Sequence, residues 1–449
     1  MSPSHATQMG VQSNAAFIEQ CLQHLERTGD GDKAAFLTTV RTRKQENPKL
    51  WTKKVAILCG QYLKALKGAK RVQDQRRAPT VCAGTLYQWG TIVMDEEDGI
   101  ISQRTESFPT FHSMKPSVRF LHVACGGSFM MACTPGGSLF VMGNNGFGQL
   151  AMPQKQYNTL IEHDTMRIDD SSNCGIFCGY SFSFVRNQSR VFATGCGADG
   201  RLGNGSEEDI HQFELMNWEM DAIACGSVSC TGIDTEGRLF SWGKSEYTGT
   251  RVATNILRPV PILSLYRFHS VSCGIGGYHF LAVTRAGQLY SWGHNRVGQL
   301  GRDYDIDHYL ERLPKPVDVG NALVVDAKAG WGHSVVQLER GKVLTCGRNH
   351  QGQLGKDPAT CPTNSRGHHM SPVLEQVDVP PVKQVELGGE ITTVMTEDGE
   401  VYWWGFCPTS LGTFHAPMFV PQVVHVPGTV QSLTCSSFAM FAIVSSDQQ

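Results

Sequence analysis

A short phrase recurs seven times along the chain, and its spacing leaves few folds open. Each copy alternates apolar and polar residues and ends in glycine: Leu-Tyr-Gln-Trp-Gly90, Leu-Phe-Val-Met-Gly143, Val-Phe-Ala-Thr-Gly195, Leu-Phe-Ser-Trp-Gly243, Leu-Tyr-Ser-Trp-Gly293, Val-Leu-Thr-Cys-Gly347 and Val-Tyr-Trp-Trp-Gly405. The glycines lie 48 to 58 residues apart. That period is too long for a heptad or a leucine-rich repeat and fits one propeller blade of four strands. A propeller is more often a docking scaffold than an enzyme, so the same feature lowers the expectation of catalysis.

The phrase sits within a larger phased unit. Six residues before the landmark glycine stands a turn residue: Gly84, Gly137, Gly237, Gly287, Gly341 or Gly399, with Ser189 in the third copy. Glycine accepts the positive φ of the primed turns that join tight hairpins. A further glycine about seventeen residues before the landmark, such as Gly226 or Gly330, opens the preceding strand. After the landmark comes a Gly-Gln-Leu-Gly turn, clearest at Gly298–Gly301 and Gly352–Gly355, whose leucine is expected to plug between blades. The segment ending in Gly90 lacks its preceding strands, and residues 431–445 supply such strands with no landmark after them. Joined, they complete one blade and leave no open sheet edge. The expectation is an all-β, seven-bladed propeller over residues 81–446, closed by pairing of N-terminal and C-terminal strands.

The Cys-Gly-x-x-His-Ser strand, the Asp-Gly turn, the Trp-Gly landmark and the Gly-Gln-Leu-Gly turn together resemble the repeat of the regulator of chromosome condensation family. The resemblance spans about four-fifths of the chain. It implies a propeller fold and a role in protein interaction. That family also includes nucleotide exchange factors, ubiquitin-ligase modules and photoreceptors.

Charge divides the chain in two. Residues 1–80 carry 14 Lys or Arg and 6 Asp or Glu, a net +8; the remainder carries 25 and 35, a net −10. An acidic propeller suits a basic protein partner, and a basic segment suits an anion. Residues 1–12 read as a disordered tail. Residues 13–78 read as a basic α-helical extension, with Lys53, Lys64, Lys67 and Arg71 on one face of a helix and Trp51, Val55, Leu58, Tyr62 and Leu66 on the other. Residues 33–77 hold thirteen basic residues and two acidic ones, the pattern of a contact with nucleic acid, chromatin or anionic lipid.

The 15 cysteines contain no CxxC pair, and five of them recur at the Cys-Gly step: Cys125, Cys178, Cys225, Cys273 and Cys435. They read as reduced core thiols, which points to the nucleus or cytoplasm. No apolar run approaches the ~20 residues of a membrane span. No phosphate loop, nucleophile elbow or metalloprotease motif occurs, and His368-His369 with Cys361 nearby offers too few ligands for a metal. No cofactor and no catalytic residue is expected.

Family exchange factors are implied to carry a ring of polar residues at the propeller mouth, from the Gly-x-x-His stretch. Here the His register is filled by Phe129, Phe182, Ser229, His279, His333, Ile391 and Ala439, and the register before it includes Tyr278 and Glu390. Candidate partner-binding residues are therefore Tyr278, His279, Trp331, His333 and Glu390. The leading expectation is a non-enzymatic interaction platform. The alternative is a guanine nucleotide exchange factor for a Ran-type small GTPase, against which the depleted ring argues. Three loops break the period (92–116, 302–316 and 356–371) and are candidates for specificity.

Overall fold

The computed structural model describes residues 83–90, 112–169, 174–302, 305, 307–407, 417–437 and 439–445. The chain divides between Arg77 and Ala78. The N-terminal tail and basic extension, with Lys53, Lys64, Lys67 and Arg71, lie outside the described residues.

Residues 83–445 form seven four-stranded antiparallel sheets. Six are simple meanders over residues 122–167, 174–215, 222–262, 268–317, 324–376 and 382–424; they are called blades 1 to 6. Blade 7 is shared. Thr429–Cys435 and Ala439–Ser445 are its inner strands, and Thr85–Gly90 and His112–Ser113 its outer ones. Closure runs from Thr85 opposite Val444 to Gly90 opposite Ala439. The composite blade read from the sequence is thus present. The first strands of neighbouring blades touch all the way round, the last meeting the first. They line one axial channel, where a cavity of about 180 Å³ is walled by residues from all seven.

Blades pack face to face, so the second strands are buried on both sides. Phe129–Cys133, Ser229–Ile233, His279–Thr284, His333–Leu338 and Ile391–Thr396 have no exposed residue. Only outer strands, such as Ile210–Leu215, show exposed positions in number. The landmark indoles of Trp89, Trp242, Trp292 and Trp404 are fully buried. Each removes roughly 200 Å² from water, about 5 kcal/mol as an upper transfer value.

The landmark glycine has a definite cause. In every blade it pairs across the second and third strands with the His-register residue: Phe129 with Gly143, Phe182 with Gly195, Ser229 with Gly243, His279 with Gly293, His333 with Gly347, Ile391 with Gly405 and Ala439 with Gly90. Gly347 has φ +104, and a Cβ there would fall 2.5 Å from the Gly332 carbonyl oxygen. No side chain fits so close a backbone approach.

The hairpin turns differ from the primed turns expected. Gly237 donates its N–H to the Asp234 carbonyl, closing a four-residue turn, and the Asp234 carboxylate accepts the N–H of Arg238. Thr134, Thr284 and Thr396 play the same part in other blades. The glycine follows the turn's centre in the left-handed region, which is the three-residue hairpin loop. In blade 2 the positive φ falls on Gln188 rather than Ser189, and Asn187 pairs with Arg190.

The Gly-Gln-Leu-Gly turns are latches between blades. Asn295 and Asn349 accept the N–H of Leu300 and Leu354, and each leucine is buried. The glutamine carbonyl then receives donors from the next blade. Gln299 O accepts from Ser334 Oγ at 2.7 Å; Gln353 O accepts from Thr392 Oγ1 and Trp404 Nε1, both at 3.0 Å. Gly-rich sequence here joins blades and opens no helix, so it lacks the geometry of a phosphate cradle.

Candidate functional site

In an antiparallel four-strand meander the first-to-second and third-to-fourth connections leave by the same edge of the sheet. All Gly-x-x-His stretches and all Gly-Gln-Leu-Gly turns therefore share one rim, called upper. The connection that precedes Leu310 and the one that precedes Met370 open there, as does the connection that leaves Gly90 and returns at His112; residues 310–316 of the loop expected over 302–316 instead form the outer strand of blade 4.

Backbone hydrogen bonds between neighbouring blades tie the mouth together. Gly127 N–H donates to Tyr180 O, Ser227 N–H to Gly277 O, Trp331 N–H to Gly389 O and Gly389 N–H to Ser437 O, at 2.9 to 3.2 Å. Each of these loops leads into a second strand that is almost wholly buried, which anchors the residues it presents.

The sequence-derived candidates separate into two layers. His279 and His333 are fully buried. His279 Nε2 lies 2.9 Å from Ser334 Oγ, and His333 Nε2 lies 3.0 Å from Thr392 Oγ1. Both hydroxyls already donate to carbonyls, so each imidazole donates from Nε2–H and is neutral. Burial is the main reason both proton affinities fall to a pKa of about 3; the His333 ring adds to the effect on His279, and the Arg348 charge to that on His333. The expectation that these two line the mouth as partner contacts is corrected here: blade-to-blade packing closes over them, and no partner can touch either ring without unfolding the seam.

The residues that do face the mouth come from the positions just before. Tyr278 is 39% exposed; its ring is 5.1 Å from Tyr247, and Ser227 Oγ donates to its hydroxyl at 3.3 Å. Trp331 is half-buried across the mouth, close to Gly276 on one side and Gly389 on the other. Glu390 is half-buried and holds Arg348 at 3.1 Å. Residues the sequence reading did not select join them. Tyr180 is 50% exposed and Phe147 46%. Tyr180 occupies the same register as Trp331, two residues before the His position, and that alignment was the available signal.

Farther out, Arg296 lies over the Tyr309 ring at 4.3 Å, and His350 stacks on His369 with centroids 6.2 Å apart. Cys361 accepts a hydrogen bond from Asn349 and lies buried. Among the described residues no group of three or more His, Cys, Asp or Glu side chains is arranged to hold a metal ion. No helix among them is long and apolar enough to cross a membrane. In the channel, Cys125, Cys178, Cys225, Cys273 and Cys435 end successive first strands around the cavity, and burial pushes all five thiols up. All twelve described cysteines are free thiols.

The family model described as the RCC1-like domain matches residues 85–444. The chain is 26% identical to the Ultraviolet-B receptor UVR8 of Arabidopsis thaliana, over 65% of this chain and 66% of that protein. It is 26% identical to the Secretion-regulating guanine nucleotide exchange factor of Bos taurus, over 62% of each. The matches thus span just under two thirds of these relatives. Yeast RCC1 (Prp20), solved bound to Kap60, superposes with a TM-score of 0.71 at 20% identity, covering 84% of this chain and 93% of that one.

Proposed function

Since the chain belongs to the RCC1-like domain family, we propose that it is a non-enzymatic protein-interaction platform that docks its partner on the upper rim. The observation that carries this reading is the exposure of Tyr180 and Tyr278, beside half-buried Trp331, on loops hydrogen-bonded to those of a neighbouring blade, with exposed Phe147 on the same rim. Large aromatic side chains exposed in a polar setting are the usual anchors of a protein interface, and rigid placement lowers the entropy lost on docking. The basic extension, with Lys53, Lys64, Lys67 and Arg71, serves in this reading to target the platform to an anionic surface such as nucleic acid or chromatin, in the nucleus or cytoplasm.

The second reading is nucleotide exchange on a Ran-type small GTPase. It draws on the relative named as an exchange factor and on Glu390, a carboxylate held at the mouth by Arg348. An exchanger works by binding the nucleotide-free GTPase better than the loaded one.

One experiment separates the readings. Fluorescent-GDP release from a panel of small GTPases is followed with the full chain and with the variant Tyr180→Ala/Tyr278→Ala/Trp331→Ala, whose folding is checked by thermal melting. In parallel, purified partners are crosslinked to the chain and mapped. Crosslinks on the upper rim, lost in the variant, with unchanged GDP release, support the platform. Accelerated release abolished by Glu390→Gln would replace it with exchange. Crosslinks confined to the lower rim would overturn both.

A further inference from the structure

A cluster of cationic side chains gathers on the upper rim of blades 4 and 5 although the propeller as a whole is acidic. Arg296, Arg348 and Arg366 come from three separate stretches, with His350, His368 and His369 among them. Partial burial and then the charges of Arg348, His350, Arg366 and Arg296 lower the proton affinity of His368, which places all five in one field. Glu390 takes one nitrogen of Arg348. The Nε groups of Arg296 and Arg348 are buried with no protein acceptor, while Arg366 is exposed. A buried N–H without an acceptor is costly, and an exposed guanidinium can receive the oxygens of a ligand in bidentate fashion. Beside them stands Tyr247, whose hydroxyl is pushed up by burial and then by Glu246, Tyr278 and Tyr309, with Arg296 opposing.

We infer that this sector docks an acidic segment of a protein partner, its carboxylates received by Arg296, Arg348 and Arg366 and its apolar side chains by Tyr278 and Tyr309. The inference rests on the platform reading and gives that platform's ligand a chemistry. It departs from the basic partner expected from net charge, because docking responds to the local field and not to a sum over the surface. A protein segment is favoured over nucleic acid by the border of the sector. Glu246 lies on the neighbouring loop, Asp305 and Asp307 precede Tyr309, and Glu390 lies inside. A long phosphate backbone would run onto these carboxylates, whereas a short acidic segment ends before them.

The test uses the full chain and three labelled probes: a short peptide of alternating Asp and Gly with a central Leu, its Lys counterpart, and a single-stranded DNA oligonucleotide of matched charge. Fluorescence anisotropy is expected to show binding of the acidic peptide alone. Arg348→Ala with Arg366→Ala should weaken it about tenfold. Glu390→Gln, which removes a competing carboxylate, should tighten it, an effect that loss of a structural ion pair would not produce. Absence of binding would overturn the inference, as would insensitivity to the arginine changes or equal retention of DNA through the same arginines. So would loss of binding on changing Lys53, Lys64, Lys67 and Arg71 to Ala instead. If a crosslinked partner occupies the rim and the peptide does not displace it, the platform stands and only the acidic-segment assignment falls.

Discussion

His279 in blade 4 donates its Nε2–H to Ser334 in blade 5, and Ser334 in turn donates to the Gln299 carbonyl of the blade 4 latch. One hydroxyl therefore closes a circuit between two blades. Ser334→Ala leaves the buried imidazole N–H without an acceptor and the Gln299 carbonyl with only the weak Cys346 thiol donor, at a cost of about 2 kcal/mol. Urea unfolding should show that loss, with the anisotropy of rim ligands unchanged under native conditions. A neutral result would mean the seam relaxes or admits water.

Stability should depend on pH through the same two histidines. Their folded pKa of about 3 lies below the ordinary value of 6.5. The unfolded chain therefore binds protons first as pH falls, and the stabilisation present above pH 6.5 is lost on the way down to about 3. The slope approaches about 1.4 kcal/mol per pH unit for each imidazole. Replacing His279 and His333 together by Gln should flatten this limb in urea titrations between pH 6.5 and pH 4. An unchanged limb would assign it to carboxylates.

Two glycines of positive φ should respond differently to alanine. At Gly347 a Cβ would lie 2.8 Å from His333 Cα as well as against the Gly332 carbonyl, so Gly347→Ala should cost more than about 3 kcal/mol. At Gly320, with φ +69, a Cβ meets nothing within 4 Å. Gly320→Ala should cost only the left-handed penalty, about 1 to 2 kcal/mol. Comparable melting temperatures for the two variants would contradict the close-approach argument.

Cys174 should be the most reactive of the twelve described cysteines. Its sulfur lies 3.4 Å from that of Cys133. The hydrogen bond shared with Cys133 holds the Cys174 thiol well below its ordinary range, with His122 and Arg186 adding to the effect, while Cys133 is raised. The thiolate is the reactive form. Brief iodoacetamide treatment at mildly acidic pH, followed by peptide mass spectrometry, should label Cys174 ahead of the channel cysteines, whose thiols burial keeps protonated. Earlier labelling of Cys273 would show that exposure outweighs ionisation.

Much of the scaffold was legible because its constraints are local. The landmark glycine, the turn glycine and the latch leucine each answer a backbone or packing demand that recurs with every blade, so the sequence repeats them in phase. The shared blade followed from counting which strands each end lacked. Ser189 does lie in the turn of blade 2, but the positive φ falls on Gln188, because Asn, Gln and Ser all accommodate a tight turn and only the backbone selects among them.

The site was less legible. His279 and His333 looked like mouth residues because they neighbour residues that are. One step along a strand reverses the direction of a side chain, and which direction meets solvent depends on how closely the next blade packs. The cationic sector was invisible for a related reason. Arg296, Arg348 and Arg366 come from different turns, and nothing in the sequence shows that these turns converge.

By itself, the sequence determined a closed seven-bladed ring, its period and its buried tryptophans, because these rest on interactions within one repeat. Only the tertiary structure decided which polar residues are buried between blades and which converge on the upper rim. Burial and local field arise from contacts between repeats, and no single repeat encodes them.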